Sequence, residues 1–146
     1  MRQMKSYVKK IEALKKKAKK KGEILSKAER EYKQARKEYQ NLCGLEVSRR
    51  YRLGQILVYE IQEEYRPYIK EIFAFGGVDK NSVEKYGHIS FSNDCACCFG
   101  NVSVCSACDY KYLREANELE IETFKDGIKQ HGLNKHLMLF EELLKG

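Results

Sequence analysis

Apolar residues recur at intervals of three and four along the first part of the chain. One set of heptad positions holds Met4, Ile11, Ala18, Leu25, Tyr32 and Tyr39, and the other holds Tyr7, Leu14, Lys21, Ala28, Ala35 and Leu42. All of these residues except Lys21 are apolar. A sustained period of 3.5 residues is typical of a coiled-coil helix. The pattern therefore predicts one long N-terminal helix with a single apolar seam.

A second helical pattern follows and predicts a helix near 46–75. Its apolar face holds Leu53, Ile56, Leu57, Ile61, Tyr65, Tyr68, Ile69, Ile72 and Phe73. Pro67 lies inside this segment and is expected to kink it, because proline removes a helical hydrogen bond. Gly44 is a candidate for the end of the first helix, since glycine readily adopts the left-handed conformation found after helices. Together the two helices predict an antiparallel hairpin with its tip near 43–50.

The C-terminal half predicts shorter elements. The segment "HISFSND" alternates apolar and polar residues like a brief strand. Asp109 is a candidate cap for a helix that ends at 131–132, and Asn134 is a candidate cap for a last helix. The expected fold class is mainly α, with a helical hairpin, a small zinc-bound β-hairpin module and two C-terminal helices. The expected domains are 1–76 and 77–146.

Five of the six cysteines lie within 95–108. Cys95 with Cys98 and Cys105 with Cys108 form two CxxC pairs, the arrangement by which a chain wraps one tetrahedral zinc ion. The six residues between the pairs are expected to form a tight β-hairpin. Cys97 or His88 is an alternative ligand, and a disulfide cluster or an iron–sulfur cluster is an alternative use of the cysteines. The prediction is a zinc site made by the two pairs.

Four thiolates would close the zinc coordination sphere, so the predicted metal is structural. The deaminase pattern HxE with PCxxC and the metalloprotease pattern HExxH are both absent from the sequence. The chain also carries no phosphate-binding glycine loop of the P-loop or GxGxxG type. These observations favour a protein that is not an enzyme. Cys43, far from the cluster, is expected to be a small apolar residue.

Positive charge is concentrated at the N-terminus. Residues 1–43 hold 15 Lys and Arg against 5 Asp and Glu, which gives +10, whereas the whole chain carries +7. The densest run is Lys15, Lys16, Lys17, Lys19, Lys20 and Lys21. Such a run is expected to bind the phosphates of a nucleic acid, or an acidic protein surface. The alternative is that these lysines are simply solvated.

A helical hairpin followed by a four-cysteine zinc module resembles, in layout, a class of coiled-coil regulators that bind RNA polymerase. The expected function is a non-catalytic zinc protein that docks on a nucleic-acid-processing machine, a polymerase or a nuclease, as a regulator or inhibitor. The alternatives are a protein-only adaptor and a self-associating coiled-coil scaffold, which leaves a homodimer open. With neither a signal peptide nor a membrane span in the sequence, the expected location is cytoplasmic, and the nucleoid or the nucleus is the alternative.

Overall fold

A computed structural model of the chain describes residues 2–92, 95–99, 102–133 and 135–145; the side chains of 2–6, 92, 95–99 and 145 are outside that description. The elements, in chain order, are helix α1 (Arg2–Arg50), strands β1 (Ile56–Ile61), β2 (Ile69–Asp79), β3 (Ser82–Ser92), β4 (Cys95–Phe99) and β5 (Val102–Ser106), a 3₁₀ helix (Ala107–Tyr112), strand β6 (Leu113–Glu115), helix α2 (Glu118–His131), a second 3₁₀ helix (Leu137–Phe140) and helix α3 (Glu141–Lys145). Two compact units divide the chain, Met1–Tyr39 and Gln40–Gly146.

The strands form one antiparallel sheet in the unit Gln40–Gly146. Five strands lie side by side in the order β4-β3-β2-β1-β6, and β5 also pairs with β3. Because β2 pairs with one edge of β3 along its length, β4 and β5 occupy the other edge, one after the other. Both run antiparallel to β3, so they run in the same direction. The β-hairpin expected between the two cysteine pairs is therefore wrong.

Apolar side chains are buried on both faces of the sheet. On one face Leu57, Phe73 and Phe75 pack in a cluster with Cys43 and Val47 from the end of α1. On the other face the buried residues from the strands and from the C-terminal elements are Val58, Ile72, Ala74, Ile89, Phe124, Leu137 and Leu144. A sheet covered on both faces has apolar residues at consecutive positions, without the alternation of a half-exposed strand.

The predicted mainly α fold is wrong, and the difference begins at the expected second helix. Residues 46–75 form the end of α1, the strand β1 and most of β2. Strands β1 and β2 are buried on both faces, so their consecutive apolar residues also matched a helical spacing. Pro67 lies in the connection between β1 and β2, where its missing N–H removes no helical hydrogen bond. Without a second helix there is no helical hairpin, and the layout shared with the polymerase-binding regulators is lost.

Helix α1 continues through Gly44, the residue expected to end it. A Cβ added there would lie 3.3 Å from both Asn81 Oδ1 and Val78 Cγ1, so the glycine permits a close approach of helix and sheet. Asn81 itself belongs to the two-residue turn between β2 and β3, in which Lys80 and Asn81 have φ of 48° and 68°. Positive φ at both positions is the signature of a type I′ hairpin turn.

The helix expected directly after Cys108 is also wrong. That segment is a 3₁₀ helix capped by the hydroxyl of Ser106, and it leads into β6. Helix α2 starts later, where Asn117 and Glu120 form a reciprocal capping box. Its expected end is confirmed, because α2 stops at His131 and Gly132 follows with a φ of 80°. Of the brief strand expected at 88–94, residues 88–92 are confirmed as the end of β3. Residues 93 and 94, like Asn134, lie outside the described residues.

Candidate nucleic-acid interface and cysteine segment

The predicted binding lysines are brought together on one helical segment of the unit Met1–Tyr39. The exposed side chains are those of Lys15, Lys16, Lys17, Lys19, Lys20 and Lys21. Successive residues of an α-helix turn by about 100°, so these lysines cover most of the circumference. The nearest acidic residues are Glu12 and Glu23, one on each side of the run. The segment is therefore a dense, uncompensated patch of positive charge.

The backbone keeps the two predicted zinc-binding pairs apart. Cys98 lies opposite Ser90 of β3, and Cys105 lies opposite Val83. Those two β3 residues are seven positions apart, which is about 23 Å at a strand rise of roughly 3.3 Å per residue. The sulfurs of one tetrahedral zinc site lie within about 4 Å of each other, because each Zn–S bond is about 2.3 Å. The structure does not bring Cys95 and Cys98 to the second pair, and the zinc site stays a prediction from the sequence.

Cys105 and Cys108 lie at the edge of the apolar cluster on the face of the sheet that α1 covers. Both are partly buried and pack against the cluster that contains Phe73 and Val83. Burial raises the pKa of the Cys105 thiol from 9.0 to about 11, because the thiolate would lose its solvation. The backbone N–H of Cys108 donates a hydrogen bond of 3.1 Å to Ser106 Oγ. Cys43 is also buried, which confirms its expected place as a small core residue.

His88, the alternative zinc ligand, lies in β3 two positions before Ser90, the residue opposite Cys98. In the part of the chain that the structure describes, its buried Nδ1 atom has no hydrogen-bond partner. Burial lowers the pKa of the imidazole, with the charge of Lys85 acting in the same direction and that of Glu71 acting against it. Burial of the ring therefore favours the neutral form of His88 over the charged form.

A buried ion pair on the first face of the sheet was not predicted. The ammonium of Lys85 pairs with the carboxylate of Glu71, and the Lys85 side chain is only 3% exposed. Its Nζ atom also lies 5.0 Å from the ring centroid of Tyr59, whose hydroxyl donates a 3.1 Å hydrogen bond to Asp109. In the sequence, a lysine whose side chain is buried in the core looks the same as a lysine on an exposed strand face. The burial of Lys85 could therefore not be predicted.

A second polar network lies on the other face of the sheet. Arg114 donates to both carboxylate oxygens of Glu120, at 2.7 and 2.8 Å, and also to Glu60 at 3.0 Å. Lys70 Nζ lies 2.8 Å from Glu120. The hydrogen bonds from Arg114 are the main cause that lowers the pKa of Glu120 to about 2. This network joins β1, β2 and β6 to the start of α2, which is a structural role.

No family model, no curated protein and no solved structure matches the chain. Over the side chains that are described, His, Cys, Asp and Glu form no group of three or more that could hold a metal ion. Among the described helices, none combines the length and the apolar composition that a bilayer crossing requires.

Proposed function

We propose that the chain is a non-catalytic interaction protein that binds the phosphate backbone of nucleic acid through its lysine segment, 15–21, and so docks on a nucleic-acid-processing machine as a regulator. The observation that carries this proposal is the exposure of all six lysines within two helical turns that contain no carboxylate. A nucleic acid releases condensed counterions when such lysines neutralise its phosphates, and this release drives binding.

Binding of this kind is insensitive to sequence. The lysine segment contains neither an arginine, whose planar group reads guanine edges, nor an aromatic ring on which a base can stack. Lysine ammonium groups act as point charges toward phosphate. Double-stranded and single-stranded nucleic acids are therefore both expected to bind, with an affinity that falls steeply as salt rises.

A protein-only adaptor is the second candidate, and an apolar cleft in the unit Gln40–Gly146 favours it. The cleft has a volume of about 410 Å³. Its lining includes Leu53, Ile56 and Leu143, with Arg52 and Lys125 beside them. An apolar side chain flanked by acidic residues on a partner would fit this lining. In that case the lysine segment would bind an acidic protein surface in preference to nucleic acid near physiological salt.

The test compares two variants of equal charge. Lys16, Lys19 and Lys20 are changed to glutamine in one, and Lys27, Lys33 and Lys37, on the same helix, are changed to glutamine in the control. Binding to a labelled DNA duplex and to a labelled single strand is followed by fluorescence anisotropy. We expect the first variant to lose at least about 10-fold in affinity and the control to lose clearly less. Equal losses, or no binding by the native chain near physiological salt, would contradict the proposal.

A further inference from the structure

The apolar seam of α1 is exposed from Tyr7 to Tyr39. Its large residues, each more than half exposed, are Tyr7, Ile11, Leu14, Leu25, Tyr32 and Tyr39. The alanines of the seam, at 18, 28 and 35, are exposed as well. A long helix obtains most of its stability by packing such a face, not from helix propensity alone. We therefore expect the seam to pack against another apolar surface.

We propose that a second copy of this chain covers the seam, and that the two helices pair in antiparallel orientation with residue 23 at the centre. In this register each seam position of one heptad set meets a position of the other set. Opposite residues have numbers that sum to 46, which gives the layers Tyr7–Tyr39, Ile11–Ala35, Leu14–Tyr32, Ala18–Ala28 and Lys21–Leu25. No layer holds two charges.

The charges that flank the seam favour the same register. In an antiparallel pair of helices, each position that flanks the seam faces the equivalent flanking position of the partner helix. Residue 15 therefore faces residue 29, residue 17 faces residue 31, and residue 10 faces residue 38. These pairs are Lys15–Glu29, Lys17–Glu31 and Lys10–Glu38, and each occurs twice in the dimer. The other flanking pairs are Val8–Arg36, Gly22–Gly22 and Ile24–Ile24. Six attractive pairs form, and none of the flanking pairs is repulsive.

Other pairings of two copies are less complementary. In a parallel pair Lys10 would face Lys15, and Lys21 would face its own copy inside the seam. In the antiparallel pair Lys21 faces Leu25, and its long side chain can carry the ammonium group out to water. If the antiparallel register shifts by one heptad, one kind of attractive flanking pair remains: Lys10–Glu31 for a shift in one direction and Lys17–Glu38 for a shift in the other. The shifted dimer also contains fewer seam layers.

The pairing leaves half of the six binding lysines fully accessible, since Lys21 lies in the seam itself. Lys16, Lys19 and Lys20 occupy heptad positions that point away from the seam, whereas Lys15 and Lys17 flank it. Because the pairing is centred on residue 23, the middles of the two lysine segments lie about 15 Å apart along the dimer axis. The dimer does not depend on nucleic-acid binding, so either proposal can fail without the other.

The test uses two charge-reversed forms of the full chain, studied by sedimentation equilibrium. One form carries Glu29→Lys, Glu31→Lys and Glu38→Lys, and the other carries Lys10→Glu, Lys15→Glu and Lys17→Glu. The three kinds of charged flanking pair become repulsive within either form and attractive between the two forms. We expect the dissociation constant of each form alone to rise by about 100-fold or more, and an equimolar mixture to recover a dimer.

A control variant and a cross-linking experiment complete the test. Reversing Glu12 and Glu23, which lie away from the seam, is expected to leave the dimer intact. A carbodiimide that joins Lys to Glu, applied to mixed light and ¹⁵N-labelled native chains, is expected to yield mixed-isotope links between Lys17 and Glu31. A monomeric native chain, a mixture that does not recover a dimer, or the absence of these links would overturn the proposal.

Discussion

Lys85 and Glu71 form an ion pair inside the first core of the sheet, on neighbouring strands. The Lys85 side chain is 3% exposed and that of Glu71 is 18% exposed. The Lys85 ammonium also lies over the rings of Tyr59 and Phe73, at 5.0 and 5.8 Å from their centroids. The aromatic faces and the carboxylate together replace the water that the ammonium loses on folding.

Removing the carboxylate is therefore expected to be costly. Glu71→Gln leaves the Lys85 charge buried without its partner, and we expect a loss of about 3 kcal/mol in the free energy of unfolding. Urea denaturation measures this loss. Glu64→Gln, at an exposed position of the β1–β2 connection, is the control and is expected to change stability by less than about 0.5 kcal/mol. If Glu71→Gln and Glu64→Gln changed the free energy of unfolding equally, the stabilising role of the ion pair would be contradicted.

Glu120 is expected to make stability depend on pH in the acid range. The pKa of its carboxyl is lowered from 4.5 to about 2, mainly by hydrogen bonds from Arg114. Because the folded pKa is below the unfolded one, the stabilisation is complete above about pH 4.5 and is lost as pH falls toward 2. Urea denaturation at several pH values is expected to show that Glu120→Gln is most destabilising near neutral pH and approaches the native chain near pH 2.

The control for that series is Glu122→Gln, at an exposed position two residues further along α2. Its stability is expected to follow that of the native chain at every pH. A Glu120→Gln variant whose deficit stays constant down to pH 2 would show that the carboxylate contributes no proton-linked stabilisation.

Cys105 is expected to react slowly with thiol reagents. With its pKa raised from 9.0 to about 11, its thiolate fraction at pH 8 is about 100-fold lower than that of an unperturbed thiol. Alkylation by iodoacetamide, followed by peptide mass spectrometry, measures the rate in folded protein and in urea. After treatment with a metal chelator, burial alone is expected to leave protection of at least about 100-fold. Protection that a chelator abolishes, with release of one zinc per chain, would instead support the four-thiolate site.

The N-terminal helix could be predicted because its seam keeps one period from Tyr7 to Tyr39, with Lys21 as its charged position. The sheet could not, because burial on both faces gives strands β1 and β2 consecutive apolar residues that fit a helix equally well. The turn at Lys80 and Asn81 lacks the glycine that usually marks a type I′ hairpin.

The candidate site, like the fold, could be predicted only in part from the sequence. The lysine segment was visible as a charge run, since charge needs no tertiary packing to be read from a sequence. The separation of Cys98 from Cys105 depends on which part of the β3 edge each strand occupies, and this is a long-range pairing that cysteine spacing alone does not encode.

The most direct test of nucleic-acid binding is the salt dependence of the affinity. The logarithm of the association constant for a DNA duplex is measured against the logarithm of the salt concentration, for the native chain and for the variant with Lys16, Lys19 and Lys20 changed to glutamine. Each lysine that neutralises a phosphate contributes about 0.9 to the slope, so the variant should be shallower by up to about 2.7 per chain. Equal slopes for the two proteins would show that these lysines do not bind phosphate, and would contradict the proposed function.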